Sequence, residues 1–214
     1  MQLIYCSKKL HKTASMTKDF TSARPVRFSQ VTITELMIPA YANFGGKIHG
    51  GILLSLMDKV AYAAASKHSG AYCVTVSVDT VDFLQPVEVG ELVSLKASVN
   101  YVGNSSMVIG IKVISENVKT GSLNHTNTCY FTMVAKGEDD KPTTVPPLIL
   151  ESPIEVRRFV EAIYRTKFKQ NYKANLREIK KNWEKQDLEA LLSKERCFYT
   201  SNPADSITPV EAPL

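Results

Sequence analysis

The spacing of apolar residues changes character several times along the chain. Between Arg24 and Lys136 apolar and polar residues alternate, the period of two that half-buried strands show. "VRFSQVTITELM" (26–37) is one such run and stops before Pro39. "YCVTVSVDTVDFLQPV" (72–87) sets Val74, Val76 and Val78 on one face of a strand and Thr75, Ser77 and Asp79 on the other. Further runs at 91–102, 107–116 and 123–136 are joined by turns at Gly90-Glu91, "GNSS" (103–106) and "KTG" (119–121). Turns this short predict antiparallel neighbours, because parallel strands need long crossovers. Between the first two runs the period becomes helical, over about 49–67. Apolar residues from Ile52 to Ala65 cover nearly the whole circumference there, which predicts a buried helix. At 1.5 Å per residue it is about 28 Å long. One long helix enclosed by a curved antiparallel sheet is an α+β architecture.

After Lys136 the texture changes. "GEDDKPTTVPPLILESP" (137–153) holds four prolines and a charge cluster and reads as a linker. Residues 154–196 then read as one or two helices, with Phe159, Ile163, Phe168, Tyr172, Leu176, Ile179 and Trp183 recurring at steps of three to five. The expected organisation is a loose tail (1–23), a packed domain (24–136), a Pro-rich linker (137–153), a basic amphipathic helical extension (154–196) and a second tail (197–214).

Charge sharpens that division. The 214-residue chain carries a formal +5, and residues 157–196 alone hold twelve Lys or Arg against six Asp or Glu. The basic surplus therefore belongs to the extension, where it reads as a solvated helix face or as a partner for phosphates. No nucleic-acid-binding module accompanies it, so nucleic acid is not an expected partner. No apolar run approaches the ~20 residues that span a bilayer, and no membrane partner is expected. Cys6, Cys73, Cys129 and Cys197 are scattered without a CxxC pair, which suits free thiols in a reducing, cytoplasmic compartment. Neither they nor the four His show metal-ligand spacing, and no metal or cofactor is expected.

The candidate chemistry clusters around the long helix. Gly45, Gly46, Gly50 and Gly51 crowd its start. They suit a tight loop with close helix packing, or equally a ligand approaching the unpaired amides of a helix N-terminus. Asn43 is a natural turn residue and His49 a natural cap. Asp58 stands inside the apolar helix, where it either joins a solvated stripe with Ser55, Tyr62 and Ser66 or does chemistry.

Taken together, "N-x5-HGG-x6-D" (Asn43, His49, Gly50, Gly51, Asp58), "VTVSVD" (74–79) and "FLQPVEVGE" (83–91) resemble the hotdog-fold acyl-CoA thioesterases. The resemblance covers about 26–136. It implies an α+β hotdog fold and hydrolysis of fatty acyl-CoA, with coenzyme A as part of the substrate. It further implies Asn43 and Asp58 as a catalytic pair facing each other across a dimer interface, in a dimer-based hexamer. His49, Gly50 and Gly51 match the segment that holds the thioester carbonyl. Ser77 matches a hydroxyl that holds the attacking water in some relatives, and Gly103, Asn104, Ser105 and Ser106 match a turn that contacts coenzyme A. Where several relatives carry an Asp, this chain has Tyr41, which leaves Asp58 as the acid. Two other functions fit the same fold: a non-catalytic acyl-CoA sensor, and a hydratase or dehydratase. A sensor needs no base, and a hydratase needs an Asp ahead of the loop His, which is missing here.

Overall fold

The computed structural model describes residues 22–197. Its principal elements are β1 (Arg24–Pro25), β2 (Val31–Leu36), α1 (Gly50–Ser69), β3 (Tyr72–Val78), β4 (Glu91–Val102), β5 (Ser106–Asn117), β6 (Leu123–Lys136), β7 (Leu148–Ile149), α2 (Pro153–Asn182) and α3 (Leu188–Leu192). The expected tails fall almost wholly outside the described residues.

Five strands pair antiparallel in the order β2-β4-β5-β6-β3 and curl around α1, the α+β hotdog arrangement. The alternation works as expected on β4, where Val93, Leu95, Ala97 and Val99 are buried toward the helix and Lys96 lies on the opposite face. From α1, Leu53, Met57, Val60, Ala61 and Ala64 pack into this concave face, meeting Ile109, Ile111, Phe131 and Met133. The helix ends at Gly70, whose φ of 72° is the left-handed conformation a C-cap requires and whose amide bonds the Ser66 carbonyl.

Three features depart from the sequence pattern. The run at 26–37 is broken, because Val26–Ser29 form a 3-10 turn. There the Ser29 hydroxyl donates to the Val26 carbonyl at 2.7 Å and accepts the Val99 amide at 2.9 Å, taking over a strand's role with a side chain. The segment read as a linker is packed: β7 pairs in parallel with β1, Val145 is buried, and the Pro146 carbonyl accepts from His68. Finally, α1 is not buried all round. The sheet wraps one side only and leaves Leu54 and Tyr62 on an exposed face.

The first compact unit runs through Ile163. It includes the start of α2, set by a capping box in which the Glu155 carboxylate accepts the Ser152 amide and the Ser152 hydroxyl accepts the Glu155 amide. Phe159 of that turn lies 5.0 Å, ring to ring, from Tyr101. The second unit begins at Tyr164 and comprises the rest of α2, a 3-10 turn at Trp183–Lys185 and α3.

Candidate active site

The loop that enters α1 is built by Asn43. Its side-chain oxygen accepts the amides of Gly45 (2.9 Å) and Lys47 (3.2 Å), and Ala42 and Ile48 close the loop as a bridge. That oxygen is therefore structural, and chemistry at Asn43 is left to its exposed amide nitrogen. His49 is the N-cap of α1: its Nδ1 accepts the Gly51 amide at 2.9 Å. A Cβ on Gly51 would sit 3.1 Å from that ring nitrogen, so the glycine makes room for the imidazole to fold over the helix end. The expectation that both Gly50 and Gly51 offer amides to a ligand is thus halved, since His49 already uses the second. The Gly50 amide has no partner among the described residues, and the Phe83 ring lies beside its Cα.

Asp58 lies eight residues further along, about 12 Å up the helix axis. It is exposed and receives a hydrogen bond of 2.5 Å from the Thr75 hydroxyl of β3. Thr75 also touches the Met133 sulfur at 3.5 Å. Around this pair α1 and β3 form a cleft of about 360 Å³, lined by Asp58, Lys59, Tyr62, Tyr72, Cys73 and Thr75 among others.

The period of two had put Thr75 and Ser77 on one face, and the structure separates them. A bulge between them makes Thr75 pair with Met133 but Ser77 pair with Thr132. Directly paired residues share a face of a sheet, and Met133 is buried toward the helix while Thr132 is on the other side. Ser77 is thereby turned away from Asp58, and Thr75 is the hydroxyl that reaches the carboxylate. Thr75 was missed because regular alternation gives no sign of a bulge that separates it from Ser77.

The turn Gly103–Ser106 is held by Gly103 N–H to the Ser106 carbonyl (2.7 Å), by Ala135 N–H to the Ser105 carbonyl and by Val145 N–H to the Asn104 carbonyl (both 2.9 Å). It sits at the Tyr72–Cys73 end of the sheet with β6 between, and none of its residues lines the cleft. Tyr41 donates its phenol to Glu35 at 3.0 Å, a bond that raises the pKa of the tyrosine. Cys129 is fully buried, and burial, reinforced by nearby Asp79, pushes its thiol up to about 12. It is no nucleophile.

The description that fits this fold and cleft is that of a thioesterase. A model of the thioesterase superfamily matches residues 45–122. The protein VdlD of Helicobacter pylori is 46% identical over 147 residues, which cover 69% of this chain and 83% of that one. YkhA of Bacillus subtilis, described as an uncharacterized acyl-CoA thioester hydrolase, is 34% identical over 145 residues, 68% of this chain and 84% of that one. A solved hexameric acyl-CoA thioesterase superposes with a TM-score of 0.70 at 33% identity, over 72% of this chain and 98% of that one. The acyl-CoA hydrolase of Staphylococcus aureus, solved with butyryl-coenzyme A and coenzyme A, gives 0.68 at 26% identity, over 76% and 99%. Alanine variants of that enzyme have also been solved, at an asparagine, at an aspartate fifteen positions on, and at a threonine seventeen beyond that. Asn43, Asp58 and Thr75 stand at the same two intervals. The chain belongs to the acyl-CoA thioester hydrolases of the hotdog fold, and its family-level activity is acyl-CoA thioester hydrolysis.

Proposed function

We propose that this enzyme hydrolyses fatty acyl-CoA to free fatty acid and coenzyme A at a site built by two copies of the chain, with Asp58 as general base. The observation that carries the reading is the Thr75–Asp58 hydrogen bond at the rim of an open cleft. The threonine pins one carboxylate oxygen and leaves the other to take a proton from water. The water oxygen then bonds to the thioester carbon. The Gly50 amide, at the positive end of the helix dipole, and the Asn43 amide nitrogen stabilise the oxyanion. Collapse of the intermediate breaks the C–S bond. The coenzyme A thiolate leaves with little need of a proton, and no step calls on a cofactor. Gly103–Ser106 are assigned to the coenzyme A moiety and His49 to shaping the helix end. Ser77 is given no role.

Within one chain, Asp58 is too far along α1 to serve a carbonyl held at Gly50. A second chain resolves this. β3 is an edge strand with Tyr72, Val76 and Val78 exposed, and the face of α1 beside it exposes Leu54 and Tyr62. An unpaired edge next to an apolar patch invites another strand. Pairing β3 with its symmetry mate would lay two α1 helices side by side in opposite directions, so that Asp58 of one approaches Gly50 of the other. Three such dimers would give a hexamer, the assembly of the solved relative, in a cytoplasmic setting. A bare acyl-CoA sensor has no use for a pinned carboxylate, and the hydratase reading still lacks its aspartate.

The test is complementation in mixed dimers. Asn43→Ala and Asp58→Asn chains, each inactive alone, are co-expressed with different tags and the mixed species purified. A shared site leaves one of two sites intact and returns about half of wild-type activity, if sites act independently. Activity no higher than that of the separate variants would overturn the shared site.

A further inference from the structure

The second unit carries an exposed amphipathic helix surface. From Tyr164 to Trp183, the residues Tyr164, Phe168, Tyr172, Leu176, Ile179 and Trp183 recur every three or four positions and are 37–66% exposed. At 100° per residue they occupy about a third of the helix circumference. Residues 165–181 hold seven Lys or Arg against a single Glu, and Lys173, Arg177 and Lys180 follow directly along one flank of the stripe. We propose that this helix docks on the surface of an anionic lipid bilayer, lying in the plane of the interface with its stripe among the acyl-chain boundary and its cations among the headgroups.

Two observations select this occupant. The composition of the stripe is interfacial: four of its six residues are aromatic, and Tyr and Trp favour the boundary between apolar and wet layers. The charge is complementary to phosphate headgroups and self-repelling toward a second copy of the same basic helix. No helix among the described residues is long and apolar enough to cross a membrane. Binding at the surface needs no crossing helix, and it would revise the expectation of no membrane partner. The proposal goes beyond the catalytic reading and does not depend on it.

Trp183 is the only tryptophan of the chain and so reports on the stripe directly. The full-length protein is mixed with vesicles of phosphatidylcholine and phosphatidylglycerol, seven to three, or of phosphatidylcholine alone. Flotation and tryptophan emission are then read. Expected with the anionic vesicles are co-flotation and a blue-shifted emission resistant to an aqueous quencher, both reduced by high salt. Lys173→Glu with Lys180→Glu lowers the partition coefficient by about tenfold or more. Phe168→Ser with Tyr172→Ser, which keeps every charge, also weakens it. These positions are exposed, and circular dichroism checks that each variant keeps its helix. No flotation with anionic vesicles would overturn the proposal, as would equal binding by both variants. Quench-resistant emission without vesicles, together with a lower assembly mass for Phe168→Ser with Tyr172→Ser, would assign the stripe to a second copy instead.

Discussion

Removing the Thr75 hydroxyl isolates its contribution to the site. Thr75→Val keeps the shape of the side chain and deletes the 2.5 Å donor to Asp58. A hydrogen bond to a charged group is worth about 1.5–3 kcal/mol, and about 1.4 kcal/mol is a factor of ten in rate. If the bond is fully needed in the transition state, kcat should fall by about 10- to 150-fold. KM should change little, because Thr75 holds the base and not the acyl chain. Folding should be barely affected, since Asp58 is exposed and water can replace the lost donor. Palmitoyl-CoA hydrolysis followed with a thiol reagent measures all of this, and Thr75→Ser should restore kcat to within a few-fold. A Thr75→Val enzyme within twofold of wild type, or one impaired only in KM, would refute the role given to the threonine.

Two further outcomes follow from the same geometry. Asp58→Asn, nearly isosteric, should reduce kcat by about 10²–10⁴-fold in the same assay while the unfolding midpoint stays close to wild type; a loss of only a few-fold would return Asp58 to a solvated stripe. His68 is fully buried, donates from Nε2 to the Pro146 carbonyl at 2.9 Å, and has no partner at Nδ1. Burial, reinforced by nearby Arg24 and opposed by the Pro146 carbonyl, lowers its pKa below 6.5. The neutral form is the one the fold accepts, so its contribution is complete above pH 6.5 and is lost as pH falls from there toward the lowered value. One proton accounts for at most about 1.4 kcal/mol per pH unit. Denaturant titrations across that window should show stability falling, and His68→Gln, which keeps a donor but cannot titrate, should flatten the slope; an unchanged slope would assign it to other groups.

The fold was largely legible because its strands are long and one-sided. β4 and β6 occupy Glu91–Val102 and Leu123–Lys136, the same spans that alternation marks out, since a buried concave face imposes period two over much of each strand. Legibility failed where side chains took over backbone roles, as Ser29 does in breaking the first run. It failed again where proline-rich chain packs without alternation, as around Val145. Neither event leaves a periodic trace.

The candidate site could be nominated from residue types, but its geometry could not be read from them. Spacing can align Asp58 with one face of a helix, but it cannot show that a bulge sends Ser77 to the far side of the sheet and leaves Thr75 facing the carboxylate. Nor does it show that His49 consumes one of two neighbouring amides. The largest apparent misfit, a helix apolar nearly all round, points the other way. For one chain the pattern over-predicts burial, because the sheet covers only the side bearing Leu53, Met57 and Val60 and leaves Leu54 and Tyr62 exposed. Leu54 and Tyr62, apolar yet exposed in the single chain, suit burial against something other than that chain's own core. Leu54 and Tyr62 flank Asp58 by four residues on either side, on the face where the proposed partner helix would lie. Under the proposed shared site, the all-round apolarity of α1 and the distance between Asp58 and Gly50 have one explanation: a helix that buries both its faces, and a base that acts on its neighbour.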